Sequence, residues 1–346
     1  MEIDRYGIGR VVGEPGVLPQ RAQKLDPALP LRPGELLIDV DSLNIDAASF
    51  KQLIEATGGD ETRLAAMIQD IVRARGKMQN PVTGSGGMLM GRVREVDARH
   101  PAATALRSGD RIVTLVSLSL TPLVIEEIRA VHPAIDRVDV RGYAVLFPSG
   151  LYARLPADIE DTVALAALDV CGAPALVARH VRPGMTVAVL GAGKSGALAL
   201  AKARQMLGGS GRLLALDVWE EAVEGLRRIG LCDDALTVDA TDAVRTMDAI
   251  SSATGGAMCD LVVSCASVPQ TEMAAILSAR DGGTVIFFSM ATSFSAAALG
   301  AEGVGKDVSL IIGSGYVPGH ADLTLDLLRS DRRLRELFER RYGVQK

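Results

Sequence analysis

Aromatic side chains are scarce in this chain, at 3% of residues. Single-stranded nucleic acids are held on aromatic stacking platforms, so the shortage argues against such a partner. An excess of basic charge is also missing. The formal net charge is −5, which argues against any nucleic-acid surface. Cysteines number only four (Cys171, Cys232, Cys259 and Cys265), with no CxxC and no paired spacing. Disulfides are therefore not expected, and a reducing cytoplasm fits. No apolar run reaches the roughly 20 residues that a bilayer-spanning helix needs, so no membrane partner is expected. The leading MEIDRYGIGR is charged and has no apolar core of the signal-peptide kind. Repeats and low-complexity segments are absent. What the chain does have is length and apolar content: 346 residues suit two domains, and 48% hydrophobic residues are ample for their cores.

The most informative segment runs from Thr186 to Ala203, TVAVLGAGKSGALALAKA, with LLALDV (Leu213 to Val218) soon after it. A short apolar run leads into Gly191-Ala192-Gly193-Lys194-Ser195-Gly196, and an Ala- and Leu-rich helical stretch follows. About twenty residues past the loop, Asp217 closes a second apolar run. Strand, tight turn, helix and ribose-binding acid together make the pattern of a dinucleotide site. Gly191 permits the sharp turn out of the strand. Gly193 leaves the backbone open to a pyrophosphate, and Gly196 lets the helix pack close to the strand. The helix start, at Lys194 and Ser195, offers free N–H groups and partial positive charge. Asp217 would bind the ribose hydroxyls and repel a 2′-phosphate, so the expected cofactor is NAD rather than NADP. A glycine-rich turn alone can be purely structural; the flanking strand, helix and acid tell against that here.

From Thr186 onward, strands and helices alternate. TVAVL, LLALD, DALTV, CDLVVS and TVIFFS read as buried strands. Helical stretches lie between them near Ser195–Leu207, Glu220–Ile229, Ala243–Ala253 and Gln270–Ala279. The expected fold class is α/β, a Rossmann doubly wound parallel sheet. DVSLIIGSG (Asp307 to Gly315) reads as an edge strand, and ADLTLDLLRSDRRLRELFERRYG as helix. Strand ends face the ligand crevice in such a sheet. Ser264, Cys265 and Ala266, and Ser289 and Met290, are therefore expected to flank the cofactor. Cys265 is read first as a small packing residue. The first ~150 residues carry short strands broken by Pro and Gly, as in all-β domains. The expected strands are GELLIDVDSLNID, MGRVREVD, GDRIVTLVS and GYAVLFPSGLYARLP. One helix, ETRLAAMIQDIVRAR, has a core-facing stripe of Leu64, Met67, Ile68, Ile71 and Val72.

PVTGSGGMLMGRV (Pro81 to Val93), SGDRIV (Ser108 to Val113), YAVLFPSGLYARLPADI (Tyr143 to Ile159) and VRPGMTVAVLGAGKSG (Val181 to Gly196) occur in that order. In this the chain resembles the medium-chain dehydrogenase/reductase superfamily. The resemblance implies a GroES-like β domain over residues 1–155, completed by a C-terminal helix at 316–346. It implies a Rossmann domain over 156–315 and a homodimer or homotetramer. Zinc members of that superfamily use Cys and a His-Glu pair; here Asn44, Gly87 and Met88 fall at those positions. Cys171 lies near a third position, and one such ligand does not hold zinc. His100, His132, His180 and His320 are scattered. No metal is expected.

Longer segments are more specific: SLNIDAASFKQ (Ser42 to Gln52), RGKMQNPVTGSGGMLMG (Arg75 to Gly91) and AAALGAEGVGKDVSLIIGSGYVPGHADLTL (Ala296 to Leu325). They resemble the L-erythro-3,5-diaminohexanoate dehydrogenase family. That resemblance implies NAD-dependent oxidative deamination at C3 of an amino-acid substrate, giving 5-amino-3-oxohexanoate in lysine fermentation. Amine oxidation suits a metal-free site, because the developing iminium carries its own charge. It needs a base and a holder for the substrate carboxylate. Asp46 is the candidate base, against the competing reading of a helix cap before AASF. Lys51, Lys77 and Asn80 are candidates for the carboxylate, each with a plain surface role as the alternative. Thr83 and Ser85 are expected nearby, and Gly84, Gly86 and Gly87 are expected to serve tight turns. Two other readings stay open: a zinc-independent quinone or enoyl reductase, and a non-enzymatic NAD-binding protein.

Overall fold

A computed structural model describes residues 3–313 and 315–343. The chain divides into two compact units, Met1–Pro156 and Ala157–Lys346.

The first unit is built on an antiparallel sheet. Its elements are β1 (Leu36–Asn44), α1 (Ala47–Thr57), α2 (Glu61–Arg75), β2 (Met88–Val96), β3 (Arg111–Thr114), β4 (Leu123–His132), β5 (Arg137–Leu146) and β6 (Tyr152–Arg154). The six strands run in the order β4-β5-β1-β2-β3-β6. Alternation along β1 and β2 turns Leu36, Ile38, Val40, Leu89 and Val93 into one core, which Phe50 and Leu53 of α1 and Leu64, Ile68 and Val72 of α2 complete. The stripe read on α2 faces this core: Leu64, Ile68 and Val72 are buried in it, and Met67 and Ile71 pack against it. Asp60 caps α2 by accepting from the Arg63 N–H, and Gly76, at φ 62, ends it. Strand β4 was not among the strands expected. It lies at the sheet edge, and two register shifts against β5 break its alternation, so period-2 reading fails there.

The second unit holds α3 (Asp161–Leu168), α4 (Gly172–His180), β7 (Thr186–Leu190), α5 (Lys194–Leu207), β8 (Arg212–Asp217), α6 (Glu220–Arg228), β9 (Asp234–Thr237), α7 (Ala243–Thr254), β10 (Cys259–Ser264), α8 (Glu272–Ser278), β11 (Ala279–Phe287), α9 (Phe294–Gly303), β12 (Val308–Ile312), α10 (His320–Ser330) and α11 (Arg332–Tyr342). Its six strands are parallel and ordered β12-β11-β10-β7-β8-β9. Read outward from β7, this is the Rossmann order, with its switch point between β7 and β10. Ala188, Leu190, Leu214, Val262 and Val285 are fully buried, as a sheet covered on both faces requires. Among the described residues no single helix is long and apolar enough to cross a membrane.

Two features differ from the sequence reading. The C-terminal helical stretch is two helices, because the Asp331 carboxylate accepts from the Arg333 and Leu334 N–H groups and starts α11 anew. These helices do not complete the first unit. They cluster with residues 157–346, where α10 packs on α3 and α4, and α11 on α3. Their Leu327, Leu328, Leu334 and Phe338 are buried. Residues 1 and 2, 314, and 344–346 of the expected domains and terminal elements lie outside the described residues.

Candidate functional site

In the first unit, the site residues gather around the turn from β1 into α1. Asp46 is the N-cap of α1: its Oδ1 accepts from the Ala48 N–H at 3.1 Å and from the Ser49 N–H at 3.4 Å. Its Oδ2 accepts no hydrogen bond among the described residues, and the side chain is exposed. Beside it, three hydroxyls converge. Ser49 Oγ lies 2.5 Å from both Thr83 Oγ1 and Ser85 Oγ. Ser49 is fully buried; sequence reasoning passed over it, since a Ser in the first helical turn looks like an ordinary capping neighbour.

Asn80 organises the loop that carries Thr83 and Ser85. It is fully buried. Its Nδ2 donates to Gln52 Oε1 at 2.7 Å and to Ser49 O at 3.3 Å, and its Oδ1 accepts from the Val82 N–H at 2.8 Å. Those contacts leave its amide committed to the fold rather than to a carboxylate ligand. Lys77 is a clearer correction. Its side chain is fully buried, and Nζ donates to Ser119 O at 2.7 Å, Pro19 O at 2.8 Å and Gln20 O at 3.3 Å. An ammonium has three donors, so none is left for a substrate. Burial, helped by the charge of Arg75, lowers its pKa to about 8. Lys51 stands on the exposed face of α1, 4.0 Å from Glu55 one turn on, as a surface pair.

The glycines here serve close approach. Gly87 sits at φ 103, and a Cβ there would lie 2.1 Å from Asn44 O. A Cβ on Gly86 would lie 2.6 Å from Met78 O and 2.7 Å from Ser119 N. The backbone at Gly87 is thus pressed against the end of β1, and Gly87 has no room for the imidazole of a zinc enzyme. Among the described residues, no group of three or more His, Cys, Asp or Glu side chains is placed to hold a metal ion. His132 pairs with Asp139 at 2.8 Å, and His100 is buried with Nδ1 accepting from the Ala102 N–H at 3.0 Å.

In the second unit, the loop after β7 has the shape a pyrophosphate needs. Gly191 turns at φ 96, and a Cβ on it would meet Ala266 N at 2.9 Å. The loop therefore lies against the residues that follow β10, at the switch point of the sheet. A Cβ on Gly196 would lie 1.8 Å from Gly191 O, so α5 meets the loop in backbone contact. Gly193 faces open space, with nothing within 4 Å of its would-be Cβ. It is also the N-cap of α5 and supplies no side-chain cap. The first-turn N–H groups are left for a ligand, with the helix dipole behind them. Lys194 is held by Asp169 at 2.7 Å. Asp217 braces the loop: Oδ2 accepts from the Ala192 N–H at 2.7 Å and Oδ1 from the Trp219 N–H at 3.1 Å.

Beyond β10 and β11, Ser264 O accepts from the Phe288 N–H at 3.0 Å and the Ser289 N–H at 3.2 Å. Ser264 Oγ is buried without a partner, and so is Thr292 Oγ1. Orphaned hydroxyls at the end of β10 and in the loop before α9 fit a polar ligand that is not part of the chain. Thr292 escaped the sequence reading; its signal was position alone, three residues past Ser289. Met290 is 81% exposed. Cys265 is buried, hydrogen-bonded with Ser195, and burial pushes its thiol up to about 12. It packs as a neutral thiol. The residues of this loop and these strand ends fit a dinucleotide.

The model of the L-erythro-3,5-diaminohexanoate dehydrogenase N-terminal domain matches residues 9–156. An L-erythro-3,5-diaminohexanoate dehydrogenase of Acetoanaerobium sticklandii is 49% identical over 339 residues, spanning 98% of this chain and 98% of the relative. Its namesake from Fusobacterium nucleatum is 48% identical, with 98% of each chain covered. Among solved structures, a mycobacterial protein complexed with NADPH aligns with a TM-score of 0.58 at 18% identity, over 90% of each chain. An alcohol dehydrogenase of Thermotoga maritima aligns with a TM-score of 0.55 at 18% identity, over 89% of this chain and 86% of the other. At such identities the structural likeness speaks for the fold alone.

Proposed function

The chain belongs to the L-erythro-3,5-diaminohexanoate dehydrogenase family, oxidoreductases that act on an amine, and from that premise we propose its reaction and cofactor. It oxidises the C3 amine of L-erythro-3,5-diaminohexanoate with NAD, giving 5-amino-3-oxohexanoate, ammonium and NADH, as a step of lysine fermentation. The observation that carries the redox half is the loop Gly191–Gly196: a turn at φ 96, an open Gly193 and an uncapped helix start. Two orphaned hydroxyls, Ser264 Oγ and Thr292 Oγ1, support the same reading.

NAD, when bound, would supply the acceptor for the C3 hydride. The α5 N-terminus and the Gly193 backbone would hold its pyrophosphate. Asp217, fixed by two backbone N–H groups, keeps lone pairs for the ribose hydroxyls. Asp46 is the proposed base. Its Oδ1 is anchored by the helix start, and its unengaged Oδ2 takes the proton that the ammonium must lose before C3 gives up hydride. Water then adds to the iminium carbon, and ammonia leaves.

The deciding assay follows NADH formation with 3,5-diaminohexanoate, with a simple alcohol, and with a quinone in the reverse direction. Turnover is expected with the diamine. Its absence, with quinone or alcohol turned over instead, overturns the reading.

A further inference from the structure

The segment at 288–293, between β11 and α9, is fastened at both ends to the connection from β10 into α8. At its start, the Phe288 and Ser289 N–H groups donate to Ser264 O. At its end, the Ser293 N–H donates to Glu272 Oε1 at 2.6 Å. Glu272 opens α8, just after Gln270 turns the chain at a left-handed φ of 70. Glu272 is 4% exposed, and among the described residues the Ser293 N–H is the group it holds. A buried carboxylate is costly unless it is hydrogen-bonded, and a charge-assisted bond this short is a strong one. Ser293 is therefore firmly fixed.

The residue beside that anchor is Thr292. It is 8% exposed, and its Oγ1 is buried without a partner. Such a hydroxyl has lost the hydrogen bonds it makes in water, and a polar ligand restores them. The sheet order points to the part of the ligand concerned. The glycine loop follows β7 and Asp217 ends β8, so the adenosine side of a dinucleotide belongs over β7, β8 and β9. Its other half then spans β10 and β11. Ser264 and the 288–293 segment stand at the ends of those two strands.

We propose that Glu272 is a positioning residue: through the Ser293 N–H it holds Thr292 so that the Thr292 hydroxyl bonds the nicotinamide half of the cofactor. The inference rests on the dinucleotide reading of the Gly191–Gly196 loop. Glu272 acts by its reach rather than by its charge. A glutamine offers the same acceptor oxygen at the same length, whereas an aspartate keeps the charge and falls short of Ser293.

The test follows NADH binding to the full chain by nicotinamide fluorescence and 5′-AMP binding by calorimetry. Thr292→Val removes the hydroxyl and should weaken NADH binding about tenfold, the worth of one hydrogen bond. Glu272→Ala should weaken it to a like degree, and the double variant no further, because both substitutions remove one contact. Glu272→Gln should bind NADH as the unaltered chain does, and Glu272→Asp should not. 5′-AMP, confined to the other half of the site, should bind all of them equally. Losses that multiply in the double variant overturn the proposal, as does Glu272→Asp binding normally where Glu272→Gln fails. A matching loss for 5′-AMP would mark general damage to the unit and overturn it too. Should Glu272→Ala not fold, Thr292→Val and the Gln and Asp variants decide. NADH bound normally by Thr292→Val sinks only this proposal; NADH not bound by the unaltered chain sinks the dinucleotide reading itself.

Discussion

Two side chains drawn from the same sequence neighbourhood have opposite fates. Asp46 keeps an exposed oxygen at the end of a strand, whereas Lys77 spends every donor on carbonyls. Asn caps helices as well as Asp does, so Asp46→Asn separates the base from the cap. Turnover is expected to fall about 10²-fold or more with an unchanged melting temperature. Asp46→Ala should in addition cost about 1 kcal/mol of stability. Full turnover in Asp46→Asn would leave Asp46 a cap only. Lys77→Ala strands three buried carbonyls and is expected to cost about 2–4 kcal/mol in denaturant unfolding. The KM for the diamine should stay the same in the fraction that folds; a KM raised at unchanged stability would restore Lys77 to the substrate.

At the scale of elements, the glycine loop was legible because each glycine answers a local demand. Gly191 needs its positive φ, and Gly196 needs zero side-chain volume. Gly196→Ala therefore has to push α5 away from Gly191 O. We expect a loss of about 1–3 kcal/mol from overpacking, together with weaker NADH binding in a fluorescence titration. Normal NADH affinity in that variant would show that the loop does not hold the cofactor. Helices α3 and α9 were illegible for a shared reason. Val163, Ala164, Leu165, Ala167 and Leu168 of α3 are all buried, so no polar face marks a helical period. Helix α9 buries only Ala297, so no apolar stripe marks one either. The opposite failure affected α10 and α11: a continuous helical pattern concealed the break that the Asp331 cap makes.

Over the whole molecule, each unit holds its own apolar core and its own sheet. In the second unit, a forked ion pair ties the segment before α3 to α10: Arg329 Nε meets Asp158 Oδ2 at 2.9 Å and Nη2 meets Oδ1 at 3.0 Å. Arg329 beside Asp158 lowers its carboxyl from 3.8 to about 2. A depressed carboxyl stabilises the fold fully above pH 3.8, and that stability is lost as pH falls through about 2. Between those values, the melting temperature of the unaltered chain should fall more steeply than that of Arg329→Gln. Salt should shrink the difference, because the pair is exposed. Parallel slopes in low salt would show that the pair contributes nothing.

The sequence by itself determined the parallel sheet, the loop at its switch point and the family. Alternation, glycine spacing and long motifs are properties of neighbours along the chain, and they survive without knowledge of the fold. Only the tertiary structure decided what distant residues do to one another. Lys77 is silenced by carbonyls 42 to 58 positions away. Gly87 is kept bare by the oxygen of Asn44. Arg341 reaches Ala192 across 149 positions of sequence. No local pattern encodes such partners, because the chain brings them together only by burying its cores.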